Sequence, residues 1–214
     1  MALDTFERLA ESKREVILSV GIRTFSEKSY QDVSTDAVTK ACGISKGILF
    51  HYFGSKKGYY LYCLEQALQC LTVKTEDTFL GDFYEVLFGS MNRKMLLCLE
   101  HPYEMRMVNM ASRDASAEIT EGKANLLHRY MADVRVESQK MLMAAFDKLS
   151  LREDVDRQKA AEGLQIYIRA VLNRYLLQYQ EMPDRFFENR EAIKSEMRQY
   201  LELMLHGVCQ KEEL

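Results

Sequence analysis

The chain has 214 residues, 47% hydrophobic and 29% charged with a formal net charge of −3, the balance of an ordinary globular protein that can bury a sizeable core. Only two prolines and ten glycines are present, so helices have few places to break and an all-α fold is favoured. No run approaches the roughly 18 to 20 apolar residues that span a bilayer, and the polar start MALDTFERLAESKRE is unlike a secretory signal, so a cytoplasmic protein with no membrane partner is expected.

From about Thr5 to Lys28 the apolar residues Leu9, Val16, Ile17, Val20 and Phe25 recur at helical spacing between charges, which predicts one amphipathic helix. The stretch Ser29-Tyr30-Gln31-Asp32 ends it. Ser34, with Thr35 as the alternative, caps a second helix of about two turns carrying Ala37, Val38 and Ala41. Cys42-Gly43 stops that helix, because glycine tolerates the left-handed turn that reverses the chain. Ser45 then caps a third short helix, Lys46 to about Phe53, and Gly54-Ser55 precedes a long fourth helix expected from Lys56 to about Phe79. Two short helices across a glycine turn, behind a longer supporting helix, are the pattern of a helix-turn-helix. From Ala37 to Leu64 there is no acid, while Lys40, Lys46, His51, Lys56 and Lys57 fall in the same stretch. This basic island is where a polyanion is expected to touch.

A fifth helix is predicted from Asp82 to Glu100, and Pro102 marks the next break. Helical periods continue over Tyr103 to Ser112 and from about Ala117 to Leu149, with a bend expected near Gly122. The two strongest stripes come last. One carries Leu164, Ile168, Val171, Leu172, Tyr175, Leu176 and Tyr179, the other Ile193, Met197, Tyr200, Leu201, Met204, Leu205 and Val208. Joined through Glu181-Met182-Pro183-Asp184, they read as an antiparallel hairpin whose apolar face packs on its own symmetry mate as a four-helix bundle.

The segment from Ser34 to Lys56 closely resembles the tetracycline-repressor (TetR) family of bacterial regulators, above all in Gly43-Ile44-Ser45-Lys46-Gly47, His51-Tyr52-Phe53 and Lys56. The resemblance covers about residues 13 to 60. Ser29 stands where the family commonly has glycine, Thr39 where alanine is usual, and Phe50 where a tyrosine often gives its hydroxyl to phosphate. The resemblance implies an all-α protein with a three-helix DNA-binding head, residues 1–55, and a larger helical ligand-binding and dimerisation domain, residues 56–214. It implies a repressor-type transcriptional regulator that binds a palindromic double-stranded DNA operator as a homodimer and is released by a small hydrophobic or aromatic effector. The alternative is a DNA-binding protein of the same fold that needs no inducer and acts through a protein partner.

In such a unit the second helix enters the major groove amino-terminus first. Lys46 is placed to donate to guanine O6 or N7, Gly47 to let the backbone approach, and Ile48 to pack on a thymine methyl. Thr35, His51, Tyr52 and Lys56 match phosphate-holding positions of the family and set register. Ser45, chiefly a cap, and Phe50, packing on sugar or on the supporting helix, complete the candidate set, while Leu49 and Phe53 are read as core.

Twelve methionines and many aromatics offer walls for an effector pocket. The candidates are Met91, Met95, Tyr103, Met105, Met107, Met110, Tyr130, Met131, Phe146 and Tyr167, although such stripes serve more often as adaptable core. No catalytic residue, metal or cofactor is expected. The chain has no G-x-S-x-G, no H-E-x-x-H and no phosphate-cradling glycine loop, and His51, His101, His128 and His206 lack metal-like spacing. His128, Asp133 and Glu137 read as a solvated helix face, and the five scattered cysteines, without a C-x-x-C pair, as reduced thiols.

Overall fold

The computed structural model describes residues 2–72, 80–179, 185 and 188–206. Its helices are α1 (Ala2–Glu7), α2 (Glu11–Glu27), α3 (Thr35–Cys42), α4 (Lys46–Phe53), α5 (Lys56–Cys70), α6 (Phe83–Glu100), α7 (Pro102–Arg113), α8 (Ala117–Phe146), α9 (Arg157–Gln178) and α10 (Arg190–Leu205). The all-α expectation holds.

The first predicted helix is in fact two. Leu9 N–H turns back to the Phe6 carbonyl at 3.0 Å, and Ala10 is extended at φ −55°, ψ 137°. The break lets Phe6 fold under the head, where it is 1% exposed with its ring 4.9 Å from Phe53, 5.4 Å from Tyr62 and 5.6 Å from Tyr52. Arg14 clasps Glu7 across the break at 2.9 Å. Restarting at Glu11 sets the buried face of α2 as Ile17, Gly21, Ile22 and Phe25, and Val16, expected in the core, stands 46% exposed.

Further along, α5 ends at Cys70 with Leu71 as its C-cap, and the predicted continuation over 73–79 lies outside the described residues. Asp82 and Glu85 form a reciprocal capping box at the start of α6, each side chain accepting the other's backbone N–H, at 2.8 and 2.9 Å. Helix α8 runs unbroken through Gly122, where the sequence suggests a bend. The glycine serves close approach, since a Cβ at this position would lie 2.6 Å from Leu61 Cδ1.

Two compact units result: Met1–Val73 with Leu96–Arg135, and Lys74–Met95 with Val136–Leu214. In the first, α2, α5 and α7 pack together over a core that includes Phe25, Tyr59, Tyr60, Leu64, Met107 and Ile119. It therefore holds the whole expected head and, beyond residue 55, α5, α7 and the start of α8. In the second, Phe83, Leu87, Phe146, Leu164, Tyr175, Met197 and Leu201 make a separate core.

Candidate nucleic-acid interface

Local chemistry builds the helix-turn-helix. Ser34 Oγ accepts from Ala37 N at 3.4 Å and Ser45 Oγ from Ile48 N at 3.2 Å, so each short helix starts on a side-chain cap. Between them Gly43 is left-handed at φ 66°. The Ile44 N–H reaches the Thr39 carbonyl at 3.0 Å and the Gly43 N–H the Lys40 carbonyl at 3.3 Å, the paired bonds of a Schellman turn. Beyond α4, a Cβ on Gly58 would lie 2.0 Å from the Phe53 carbonyl oxygen, so glycine permits the tight entry into α5.

Burial then separates the faces of α4. Leu49 is 0% and Phe53 8% exposed, one turn apart and anchored in the core, while Ile48 is 41% exposed. Lys46, Gly47 and His51 are also exposed. Exposed beside Lys46, Ile48 is of a size and polarity that suit a thymine methyl. Phe50 and Tyr52 are half-buried against the core, and Thr35 is half-buried at the first position of α3.

The two lysines differ. Lys46 Nζ lies 3.1 Å from Asp36 Oδ1 on α3, an exposed pair worth only ~0–1 kcal/mol, so a nucleic acid can displace the carboxylate cheaply. Lys56 is partly committed inside the chain: its Nζ donates to the Gln31 carbonyl at 3.3 Å and stands 4.7 Å over the Tyr30 ring. Sequence reading singled out neither Asp36 nor this clamp.

A latch joins the loop before α3 to α7 and α8. The Tyr30 N–H donates to Asp114 Oδ2 at 2.7 Å, and the Ser116 N–H to Asp114 Oδ1 at 2.8 Å. Burial pushes the Asp114 carboxyl up, but the hydrogen bonds from Ser116 and Tyr30 and the charge of Lys123 outweigh it, so the group is held below the ordinary carboxylate range. Lys123, 9% exposed, donates to the carbonyls of Ala111, at 2.8 Å, and Asp114, a cation on the carbonyl end of α7. Beside the latch is an open cleft of about 440 Å³ lined by Ser29, Gln31, Met110, Arg113, Asp114, Ala115 and Ser116.

The residues of the expected effector wall are shared between the two units. Tyr103, Met105, Met107, Met110, Tyr130 and Met131 belong to the first unit and Met91, Met95, Phe146 and Tyr167 to the second. Met107 (0% exposed) and Phe146 (1%) are packed core, and Met131, at 55%, faces solvent. Tyr103 is flanked by the guanidinium groups of Arg23 and Arg106, each 5.3 Å from its ring.

The apolar stripes of the last two helices require a correction. Leu164, Ile168, Val171 and Tyr175 on α9, with Met197, Leu201 and Leu205 on α10, are all at most 9% exposed. They are spent in the core of their own chain, with Leu172, Tyr179, Tyr200 and Met204 packed partly against it. Periodicity suggests an intersubunit seam because it shows that a face is buried but not against what. Val208, the Glu181–Asp184 loop and the Leu176 side chain lie outside the described residues. Left in water instead are Ile166 (70%), Leu177 (67%) and Leu203 (71%).

The comparisons with known proteins match this geometry. Residues 17–62 fit the sequence profile of the bacterial regulatory proteins of the tetR family. The HTH-type transcriptional regulator UidR of Escherichia coli (strain K12) is 30% identical over 87 residues, a match spanning 41% of this chain and only 40% of UidR. RutR, another HTH-type transcriptional regulator of that strain, is 24% identical over 153 residues, 71% of this chain and 69% of RutR. A tetR-family transcriptional regulator from Streptomyces coelicolor superimposes with a TM-score of 0.62 at 17% identity, over 92% of this chain and 83% of that one. That likeness establishes the fold along most of the chain.

Proposed function

We propose that this chain is a regulator of the TetR type, which residues 17–62 match, and that it represses transcription by placing α4 in the major groove of an operator as a homodimer until a small molecule releases it. One observation carries the reading: the outward face of α4, Lys46, Gly47, Ile48 and His51, is exposed within a stretch of chain that holds no acid from Ala37 to Leu64. Lys46 and Ile48 read bases. Thr35, His51, Tyr52 and, once freed from Gln31, Lys56 hold phosphates, while Ser45 and Phe50 support α4 from behind. Residues 1–55 act as the reading head and 56–214 as the part that senses and dimerises.

The second copy docks on the face that the chain leaves open. On α9 one exposed row is Ile166, Ala170, Asn173 and Leu177, and on α10 one is Ala192, Ser195, Gln199 and Leu203. These rows carry no charge themselves and are flanked by the exposed Glu162, Arg169 and Arg174 on α9 and Glu191 and Arg198 on α10, an apolar strip with a charged rim.

Release by an effector requires different affinities for two arrangements. Helix α7, packed on α2 and α5 and latched to the head loop through Asp114, is the element that transmits it. The effector is of a class that apolar and aromatic walls accept.

Selection of bound duplexes from a random pool tests the reading. An inverted repeat whose half-sites lie one helical turn, about 10 base pairs, apart is expected. Enrichment of sequences without twofold symmetry, or of none, contradicts it. Thermal melting against a panel of hydrophobic compounds tests the effector, since a ligand of the native state raises the midpoint; a silent panel favours a regulator that works through a protein partner.

A further inference from the structure

Helix α5 ends at Cys70, and α7 begins with His101 as its N-cap and Glu104 in its first turn. One potential ligand atom from each of these residues lies within 4.8 Å of the other two, all three residues being half-buried. His101 Nδ1 is 3.9 Å from a Glu104 carboxylate oxygen. Alone, that pair is an ordinary helix-start contact; the thiol from a different helix makes it a donor set.

We infer that Cys70, His101 and Glu104 form a binding site for an exchangeable, thiophilic divalent cation of the zinc class. A thiolate, an imidazole and a carboxylate suit zinc, whereas magnesium and calcium take oxygen ligands. Donor atoms around tetrahedral zinc stand about 3.4 Å apart, given metal–ligand distances of about 2.0 to 2.3 Å. Closing the site therefore requires the three atoms to approach one another by at most about 1.4 Å, a shift on the scale of side-chain rotation. Three protein ligands leave the fourth position to water, the composition of an open site rather than a closed structural one. Half-burial gives the ion a way in from solvent.

Burial first, and the charge of Glu104 second, raise the Cys70 thiol above its usual range. An entering cation takes the place of that proton and meets the carboxylate charge that disfavoured the bare thiolate. Because the ligands come from the end of α5 and the start of α7, the bound ion braces these helices against each other. Nothing in this depends on DNA binding.

Reduced, metal-free protein titrated with cobalt(II) and then zinc(II) is the test. One cobalt per chain is expected, with a near-ultraviolet thiolate-to-cobalt band and visible bands of tetrahedral coordination, all lost on adding zinc. Cys70→Ser removes the near-ultraviolet band, and His101→Ala and Glu104→Gln each weaken cobalt binding roughly tenfold or more. Zinc raises the melting midpoint of the wild type but not of Cys70→Ser. Far-ultraviolet circular dichroism of the metal-free variants, expected to match the wild type, keeps misfolding apart from lost ligation. The inference is overturned by a titration without a thiolate band, by a band that persists in Cys70→Ser, or by cobalt affinity unchanged in both His101→Ala and Glu104→Gln.

Discussion

Replacing Gly21 by alanine tests the packing beneath the head, because two effects of opposite sign meet there. Gly21 is buried in the middle of α2, where helix propensity alone predicts that alanine stabilises by about 1 kcal/mol. Packing predicts the reverse. A Cβ at Gly21 would lie 2.4 Å from Tyr59 Oη, 2.5 Å from Cys63 Sγ and 2.6 Å from Tyr59 Cζ. Tyr59 cannot swing aside: it is 1% exposed, its ring is 4.9 Å from Phe53 and 5.8 Å from Phe25, and its hydroxyl donates to the Ile17 carbonyl at 2.6 Å. Overpacking costs about 1 to 3 kcal/mol, and straining that buried hydrogen bond about 1 to 2 more. Subtracting the propensity gain leaves a net loss of about 1 to 4 kcal/mol, or roughly 2 to 16 °C in melting midpoint for a chain of this size. Gly163→Ala is the control, since its Cβ would meet only Met204 Cε at 3.8 Å and the propensity gain stands unopposed. Thermal and urea melts followed by circular dichroism read both variants. In a Tyr59→Phe background Gly21→Ala should cost less, as one of the three close contacts is gone. A Gly21→Ala protein as stable as the wild type would refute the reasoning.

Lys46→Ala should weaken binding to a selected operator by about 1 to 3 kcal/mol and relax its specificity, while Asp36→Asn, by releasing Lys46 and removing a negative charge, should tighten binding to generic duplex at low salt; fluorescence anisotropy across a salt series reads both. Lys56→Ala should weaken every sequence alike and lower the salt slope by about 0.9, accompanied by a small loss of stability that Lys46→Ala does not show, because Lys56 also holds the Gln31 carbonyl. Asp114→Asn should cost about 1 to 2 kcal/mol at neutral pH, discounted for partial exposure. Since the folded carboxyl titrates below its ordinary range, its contribution is full above about pH 4 and fades as pH falls through the depressed value, so the gap between wild type and variant should close in acid melts. Ile166→Glu and Leu203→Glu should yield monomers by light scattering with helicity intact, whereas Leu201→Ala, in the core, should lower stability.

Whatever was local in the chain was legible. Ser34 and Ser45 caps, the Gly43 turn, and the burial of Leu49 and Phe53 depend on residues a few positions apart, and all stand as the spacing suggested. The break at Arg8–Ala10 was not legible, because its cause is the seat that Phe53, Tyr52 and Tyr62 provide for Phe6. The apolar stripes of α9 and α10 show a related limit, since periodicity does not name a partner: Met197 and Leu201 find theirs within the chain. Lys56 over Tyr30, Asp114 on Tyr30 N–H, and Cys70 beside His101 each join residues far apart in sequence, and no spacing rule connects them.

Those distant contacts converge on α7. Its N-cap His101 and first-turn Glu104 stand beside Cys70 of α5, its middle buries Met107 and Ala111, Tyr103 lies between Arg23 and Arg106, and its last carbonyls and Asp114 engage Lys123 and the Tyr30 amide. A helix held at both ends and along its length shifts as a body or not at all, so a signal that reaches the head by way of α7 arrives as a displacement of the loop before α3. The free energy that couples two sites in such proteins is typically about 1 to 3 kcal/mol, the same size as the net worth of one or two hydrogen bonds at a partly buried carboxylate. On the proposed route through α7, the Asp114 latch is of the same size as the coupling it would carry. Asp114→Asn, which keeps the shape but loses the charge and one of the two acceptors that hold the Tyr30 and Ser116 amides, should consequently leave operator binding by α4 in place while removing most of its dependence on an effector.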